Sequence, residues 1–335
     1  MKSVTETIER ALAAAGLPQL RRASTTETVA PAHGPMQRQA HGLTESPAGV
    51  GQFLSLSHAG EAGSRDYKLY VPSGYDTKPA ALIVMLHGCK QSPDDFARGT
   101  RMNALAERHG FLVAYPAQTA RANGANCWNW FERDEQRREG TEPSLIAGIV
   151  RDVARAYALD TSSVFVAGLS AGAAMAVILG ATYPELFAGV AAHSGLPMGA
   201  AHDVASAFGA MRGRATSTPD AGSQGGAVPT IVFHGDSDHT VACANGKAIV
   251  EQALQGYAAS NETLNKRQRQ AASTRGNQIS TTEYLDAEGR CRVEDWVVQG
   301  GAHAWFGGSA EGSYTQPAGP DASAEMVRFF LSQKS

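Results

Sequence analysis

VFVAGLSAGAAMA (164–176) decides the reading of this 335-residue chain. Three β-branched or aromatic residues, Val164, Phe165 and Val166, run into Gly168-Leu169-Ser170-Ala171-Gly172, and an alanine-rich segment with helical character follows. A G-x-S-x-G match alone is a weak signal in a chain with 36 glycines. Its setting carries the weight: strand, tight turn and helix are what a strained, exposed serine hydroxyl requires, with glycines where a side chain would clash. The competing reading is a serine that merely caps an ordinary helix.

Outward from this motif, strands and helices alternate. Upstream, FLSLSHAG and DYKLYV read as strands, and PAALIVMLHG is a continuous apolar run suited to a strand buried on both faces. A helix is expected over about 93–109, then a strand at FLVAYP and a helix from Ser144, with Ile146, Ile149, Val150 and Val153 at helical spacing. Downstream come strands at FAGVAAHSG, PTIVFHGDSD and VEDWVVQGG, and a closing helix from Asp321, a candidate N-cap. This alternation predicts a mostly parallel α/β sheet covered on both faces. Residues 1–50 are expected to form a short helix and an extended arm, and 51–335 one catalytic domain. Two polar insertions, 199–228 and 256–279, are expected above the strand ends, over a pocket.

A serine hydroxyl needs a base, and the base needs an orienting acid. In strand–serine–helix sites of this kind the chain order is Ser, acid, His. His303, in GGAHAWFGG after the last strand, is the expected base. His239 is a rival, His234 reads as structural, and His193 and His202 come too early. HGDSDHTV offers Asp238 as the acid, with Asp236 as its rival two residues away. The oxyanion donors expected are the backbone N–H groups of Ala171 and Cys89.

Net charge is −3 and only 18% of residues are charged, so nothing points to nucleic acid as a partner. No stretch is apolar for the length of a membrane span. Glu6, Glu9 and Arg10 interrupt any signal-peptide core, which leads to the expectation of a cytoplasmic protein. The four cysteines lack CxxC spacing, so no zinc site is expected.

LHGCKQ (86–91), CWNWF (127–131), RREGTEPSLI (137–146), GLSAGAAMA (168–176), HGDSDHTV (234–241) and GGAHAWFGG (300–308) together resemble the polyhydroxybutyrate depolymerase family of esterases, a group that includes feruloyl and acetylxylan esterases. The resemblance covers about residues 65–310. It implies an α/β-hydrolase fold without cofactor, the triad Ser170, Asp238 and His303, and oxyanion donors at Cys89 and Ala171. It implies cleavage of esters of hydroxyalkanoates, polyester oligomers or hydroxycinnamates. Two positions depart from the pattern: Phe306 stands where the family often has serine, and Cys243 where it often has proline. No appended substrate-binding domain is read, so soluble oligomers or small esters are the expected substrates.

A Cys89–Cys127 bridge would pin the CWNWF loop to the oxyanion segment, and a Cys243–Cys291 bridge would tie the acid loop to the last strand. Four free thiols are the alternative. Trp305, Trp128, Trp130 and Phe306 are candidate substrate contacts, against the plainer reading of core packing. The reading is therefore a serine carboxylesterase for hydroxyalkanoate or short-chain esters. Its alternatives are a feruloyl or acetylxylan esterase and, from another class, a non-catalytic hydrolase-like binding protein.

Overall fold

The computed structural model describes residues 51–78, 80–214, 227–272 and 278–333. The expected N-terminal arm lies outside them, as do 215–226 and 273–277 within the two insertions.

One ten-stranded sheet organises the described residues, in the order β1-β2-β4-β3-β5-β6-β7-β10-β9-β8. Its parallel centre is β4 (Leu112–Pro116), β3 (Ala80–Leu86), β5 (Leu159–Leu169), β6 (Gly189–His193), β7 (Thr230–Gly235) and β10 (Cys291–Val298). The hairpin of β1 (Gln52–Gly60) and β2 (Gly63–Val71) adds antiparallel strands at one edge. Strands β9 (Gln278–Leu285) and β8 (Asn265–Ala272) do so at the other. A two-stranded ribbon pairs β11 (Trp305–Phe306) with β12 (Thr315–Gln316).

The apolar run of β3 is buried at every residue. Its alternation divides it between two cores: Leu82, Val84 and Leu86 on one face, Ala81, Ile83 and Met85 on the other. Helices α3 (Thr141–Ala156), α4 (Ala171–Thr182) and α6 (Ala244–Ala259) cover the first face. Helices α1 (Pro93–Thr100), α2 (Met102–His109) and α7 (Ala322–Ser332) cover the second. Asp321 caps α7 as expected, accepting the Ala324 amide at 3.0 Å. The short α5 (Val204–Met211) lies in the first insertion, with a capping box between Asp203 and Ser206.

Three details differ from expectation. The single helix over 93–109 is two, broken at Arg101, whose φ of 54° lets its guanidinium reach the Gly307 carbonyl at 2.7 Å. The described part of 256–279 is regular structure: 256–259 finish α6, β8 extends the sheet edge, and Gln270 and Gln278 line a cavity beside Asp236. Strand β8 carries Lys266, Arg267 and Arg269 on an exposed edge, a composition that discourages strand addition and hides the strand from a hydrophobic-pattern search. Finally, Cys243 and Cys291 are free thiols. Cys243 follows the loop at the C-terminal end of β7, whereas Cys291 opens β10, parallel to β7, at the opposite end of the sheet. A strand's length of backbone separates them, about 20 Å at ~3.3 Å per residue.

Candidate active site

Ser170 sits between β5 and α4 with φ 57° and ψ −118°, a conformation that costs an L-residue of order 1–3 kcal/mol. The flanking glycines make the turn possible. A Cβ on Gly168 would meet Gly172 backbone at 2.3 Å, and one on Gly172 would meet the Leu86 carbonyl at 2.1 Å. The Ser170 amide donates to the His193 carbonyl at 2.9 Å, tying the turn to the end of β6. Ala171 is the first residue of α4, so its N–H points out of a helix N-terminus, where partial positive charge gathers.

Asp238 and His303 come together from loops after β7 and β10. His303 Nδ1 lies 2.7 Å from Asp238 Oδ2. The other carboxylate oxygen, Oδ1, accepts the amides of Thr240 (2.9 Å) and Val241 (2.8 Å). Burial pushes the Asp238 carboxyl up. The hydrogen bond and charge of His303, with the Val241 amide, outweigh it and hold the group below the usual carboxylate range. Asp236 is exposed and accepts the Gly300 amide at 2.7 Å, bracing the start of the base loop instead. His239 is exposed. His234 is buried, bonds the Val241 carbonyl through Nε2 at 2.8 Å, and is driven toward its neutral form by that burial.

Cys89 follows β3 at the same end of the sheet, and a disulfide joins it to Cys127. The loop is further held by Lys90 N–H on the Ala125 carbonyl at 2.8 Å and by Gly88 N–H on Gln91 Oε1 at 2.9 Å. His87 is buried, donates from Nδ1 to the Gly88 carbonyl (2.8 Å) and accepts the Gln118 amide at Nε2 (3.1 Å). That acceptor role requires a neutral ring, and burial pushes its pKa down to about 4.

The four aromatic candidates are placed in the cores, not on an open pocket wall. Trp128 is fully buried and donates Nε1–H to the His87 carbonyl at 3.0 Å. Trp130 packs edge-on against Phe131. Trp305 donates to Ser323 Oγ at 3.0 Å, meets Phe96 edge-on and stacks on His193, while Phe306 leans on the same imidazole. The indoles of Trp128 and Trp305 found their polar partners inside, which a local reading of spacing does not reveal. An open cavity of about 420 Å³ lies beside the acid loop, lined by Asp236, Gln270, Gln278, Ser280 and Gln299 among others.

Residues outside the expected set also hold the site. His193, set aside as too early for a base, binds both the Ser170 turn and the loop that carries His303. Gln91 and Glu142 stand inside the quoted motifs LHGCKQ and RREGTEPSLI, which is the signal that could have found them. Among the described residues, no helix is long and apolar enough to cross a membrane.

The profile of the family described as esterase PHB depolymerase matches residues 65–278. Poly(3-hydroxyalkanoate) depolymerase C of Paucimonas lemoignei is 34% identical over 272 residues, 78% of this chain and 64% of that protein. Poly(3-hydroxybutyrate) depolymerase of Ralstonia pickettii is 30% identical over 293 residues, 80% of this chain and 58% of that protein. The chain thus spans about three-fifths of the length of these two relatives. Among solved structures, an acetyl xylan esterase from Aspergillus awamori superposes with a TM-score of 0.67 at 21% identity, covering 84% of this chain and all of that one. The fold is that of the α/β-hydrolases, and the chain belongs to the esterase PHB depolymerase family.

Proposed function

We propose that the protein is a serine carboxylesterase that cleaves esters of hydroxyalkanoate oligomers or short-chain acyl groups through an acyl-enzyme. The observation that carries this reading is the His303–Asp238 pair at the sheet end where the Ser170 turn stands. Ser170 attacks the ester carbonyl as His303 takes its proton. Asp238 stays ionised, holds the Nδ1–H tautomer and stabilises the imidazolium. The amides of Cys89 and Ala171 receive the oxyanion, and His303 then protonates the leaving alcohol. Water repeats the sequence on the acyl-enzyme.

Ser170→Ala is expected to abolish hydrolysis of p-nitrophenyl butyrate and labelling by a fluorophosphonate while circular dichroism is unchanged. Retained turnover would remove the assignment, and a wild-type protein that is never labelled would favour a non-catalytic binding protein.

The cavity beside the acid loop favours a second reading, an ester carried on a glycan. The Asp236 carboxylate accepts hydrogen bonds and cannot donate them, and Gln270, Gln278 and Gln299 do both. Sugar hydroxyls supply donors, whereas a polyester backbone supplies only acceptors. Parallel assays on hydroxybutyrate oligomers, acetylated xylan and methyl ferulate separate these substrates. The Cys89–Cys127 disulfide supports work in an oxidising compartment, against the cytoplasmic expectation.

A further inference from the structure

Under the loop that carries Cys89 lies a buried polar cluster built from four separate segments. Glu142, in the first turn of α3, is 1% exposed. Its Oε1 accepts Asn129 Nδ2–H at 2.7 Å and the side-chain amide of Gln118, and its Oε2 accepts the Asn129 backbone amide at 2.8 Å. Gln118 in turn donates to the Cys127 carbonyl at 2.9 Å and accepts from Arg65. Asn123 closes the group: its Nδ2–H donates to Asn129 Oδ1 at 2.9 Å, and its own Oδ1 accepts the Ala125 amide at 3.0 Å. Every residue of 127–129 is therefore bonded to this cluster or to His87, and Cys127 is covalently joined to Cys89.

We propose that Glu142 is a positioning residue for the oxyanion loop, acting through Gln118, Asn129 and the Cys127–Cys89 bridge to set the Cys89 amide. This role rests on the reading of that amide as an oxyanion donor. The geometry selects the ionised carboxylate. Three N–H donors converge on its two oxygens, and a proton on either oxygen would face one of them. Ionisation is costly there. Burial pushes the Glu142 pKa up to about 7, against the pull of the Asn129 and Gln118 bonds and of Arg65. The charged or titratable groups around it are Arg65 on β2, Glu135 on the short 3-10 helix (Arg133–Gln136), whose carboxylate accepts the Glu142 amide at 2.7 Å, and Asp66 and His87 beyond Arg65. The positioning state is thus the one that forms as pH rises through neutrality.

Glu142→Gln keeps the volume but turns an amide N–H₂ onto one of the three donors. In the purified full chain, kcat for p-nitrophenyl butyrate should fall roughly tenfold or more with KM within about threefold, since only the charge-developing state uses the oxyanion amides. The rate of fluorophosphonate labelling of Ser170 should fall by the same factor. A histidine base already gives a one-proton acid limb in kcat/KM. The wild type should show a second proton below about pH 7, absent in Glu142→Gln. A folded Glu142→Gln protein with a lower melting temperature but unchanged kcat, labelling rate and acid limb overturns the proposal and leaves the active-site reading standing. Failure of wild-type Ser170 to be labelled overturns that reading instead. Should Glu142→Gln not fold, Asn129→Ala at the half-buried rim takes its place. A labelling rate cut about threefold or more supports the proposal, and an unchanged rate overturns it.

Discussion

The backbone N–H of Phe306 donates to Nε2 of His193 at 3.1 Å. The carbonyl of the same histidine accepts the Ser170 amide. One residue at the end of β6 thus anchors the Ser170 turn through its backbone and the His303 loop through its ring. The base loop leaves β10, three strands away from β5 in the sheet. Adjacent strands are ~4.8 Å apart, so without a return the loop would begin roughly 14 Å from the serine strand. The Phe306–His193 bond draws it back over β6.

Replacing His193 with Leu removes that acceptor and strands a buried N–H, which costs about 1–3 kcal/mol. The ring also stacks on Trp305 and Phe233, so packing loss adds to this. Urea unfolding should show the destabilisation. Ester turnover should fall as well, because His303 lies three residues before Phe306. A destabilised variant with wild-type kcat would separate the loop anchor from catalysis.

Asp238 and Asp236 should behave very differently. Asp238→Asn presents an amide to His303 Nδ1 and disturbs the tautomer, for which losses of roughly 10⁴ in kcat are usual. Asp236→Asn keeps an acceptor for the Gly300 amide and should retain activity to within about tenfold. Steady-state kinetics on both variants decide the matter, and equal losses would reopen the choice of acid.

The Cys89–Cys127 bridge closes a loop with a sequence separation of 38. Chain entropy puts its stabilisation at about 4 kcal/mol in the reference case of an unstructured reduced chain. The Cys89→Ser/Cys127→Ser double variant should unfold at lower urea and turn over more slowly. Cys243→Ser and Cys291→Ser should leave the disulfide content unchanged.

Acid pH should weaken the fold through its buried imidazoles. An unfolded histidine binds its proton near pH 6.5, whereas His87 holds out to about 4 and burial keeps His193 well below the usual range. Between those limits the unfolded chain binds more protons, so this contribution is present above about 6.5 and lost as pH falls. Glu142 opposes it: raised to about 7, it favours the folded state as pH falls through neutrality. The clean measurement is a difference. The stability gap between wild type and His87→Gln should narrow by up to ~1.4 kcal/mol per pH unit from pH 6.5 toward 4. A gap independent of pH would refute the neutral assignment.

What sequence alone determined here is local. Gly168 and Gly172 mark a turn where no Cβ fits, the alternating strands and helices announce the parallel sheet, and the order of Ser170, Asp238 and His303 names candidates for each role. These signals lie in a single turn, in the period of one element, or in the linear order of motifs along the chain. Tertiary structure decided the rest, because burial and pairing depend on residues far apart in the chain. Trp305 and Phe306 turn inward because His193, more than 100 residues earlier, offers them a ring and an acceptor. Cys127 pairs with Cys89, while Cys243 and Cys291 are held at opposite ends of parallel strands. Arg101 breaks a helix to reach Gly307, and Glu142 collects its donors from two other segments of the chain. The chemistry of each group could be read from the chain, but the neighbours that give it a task were brought to it only by folding.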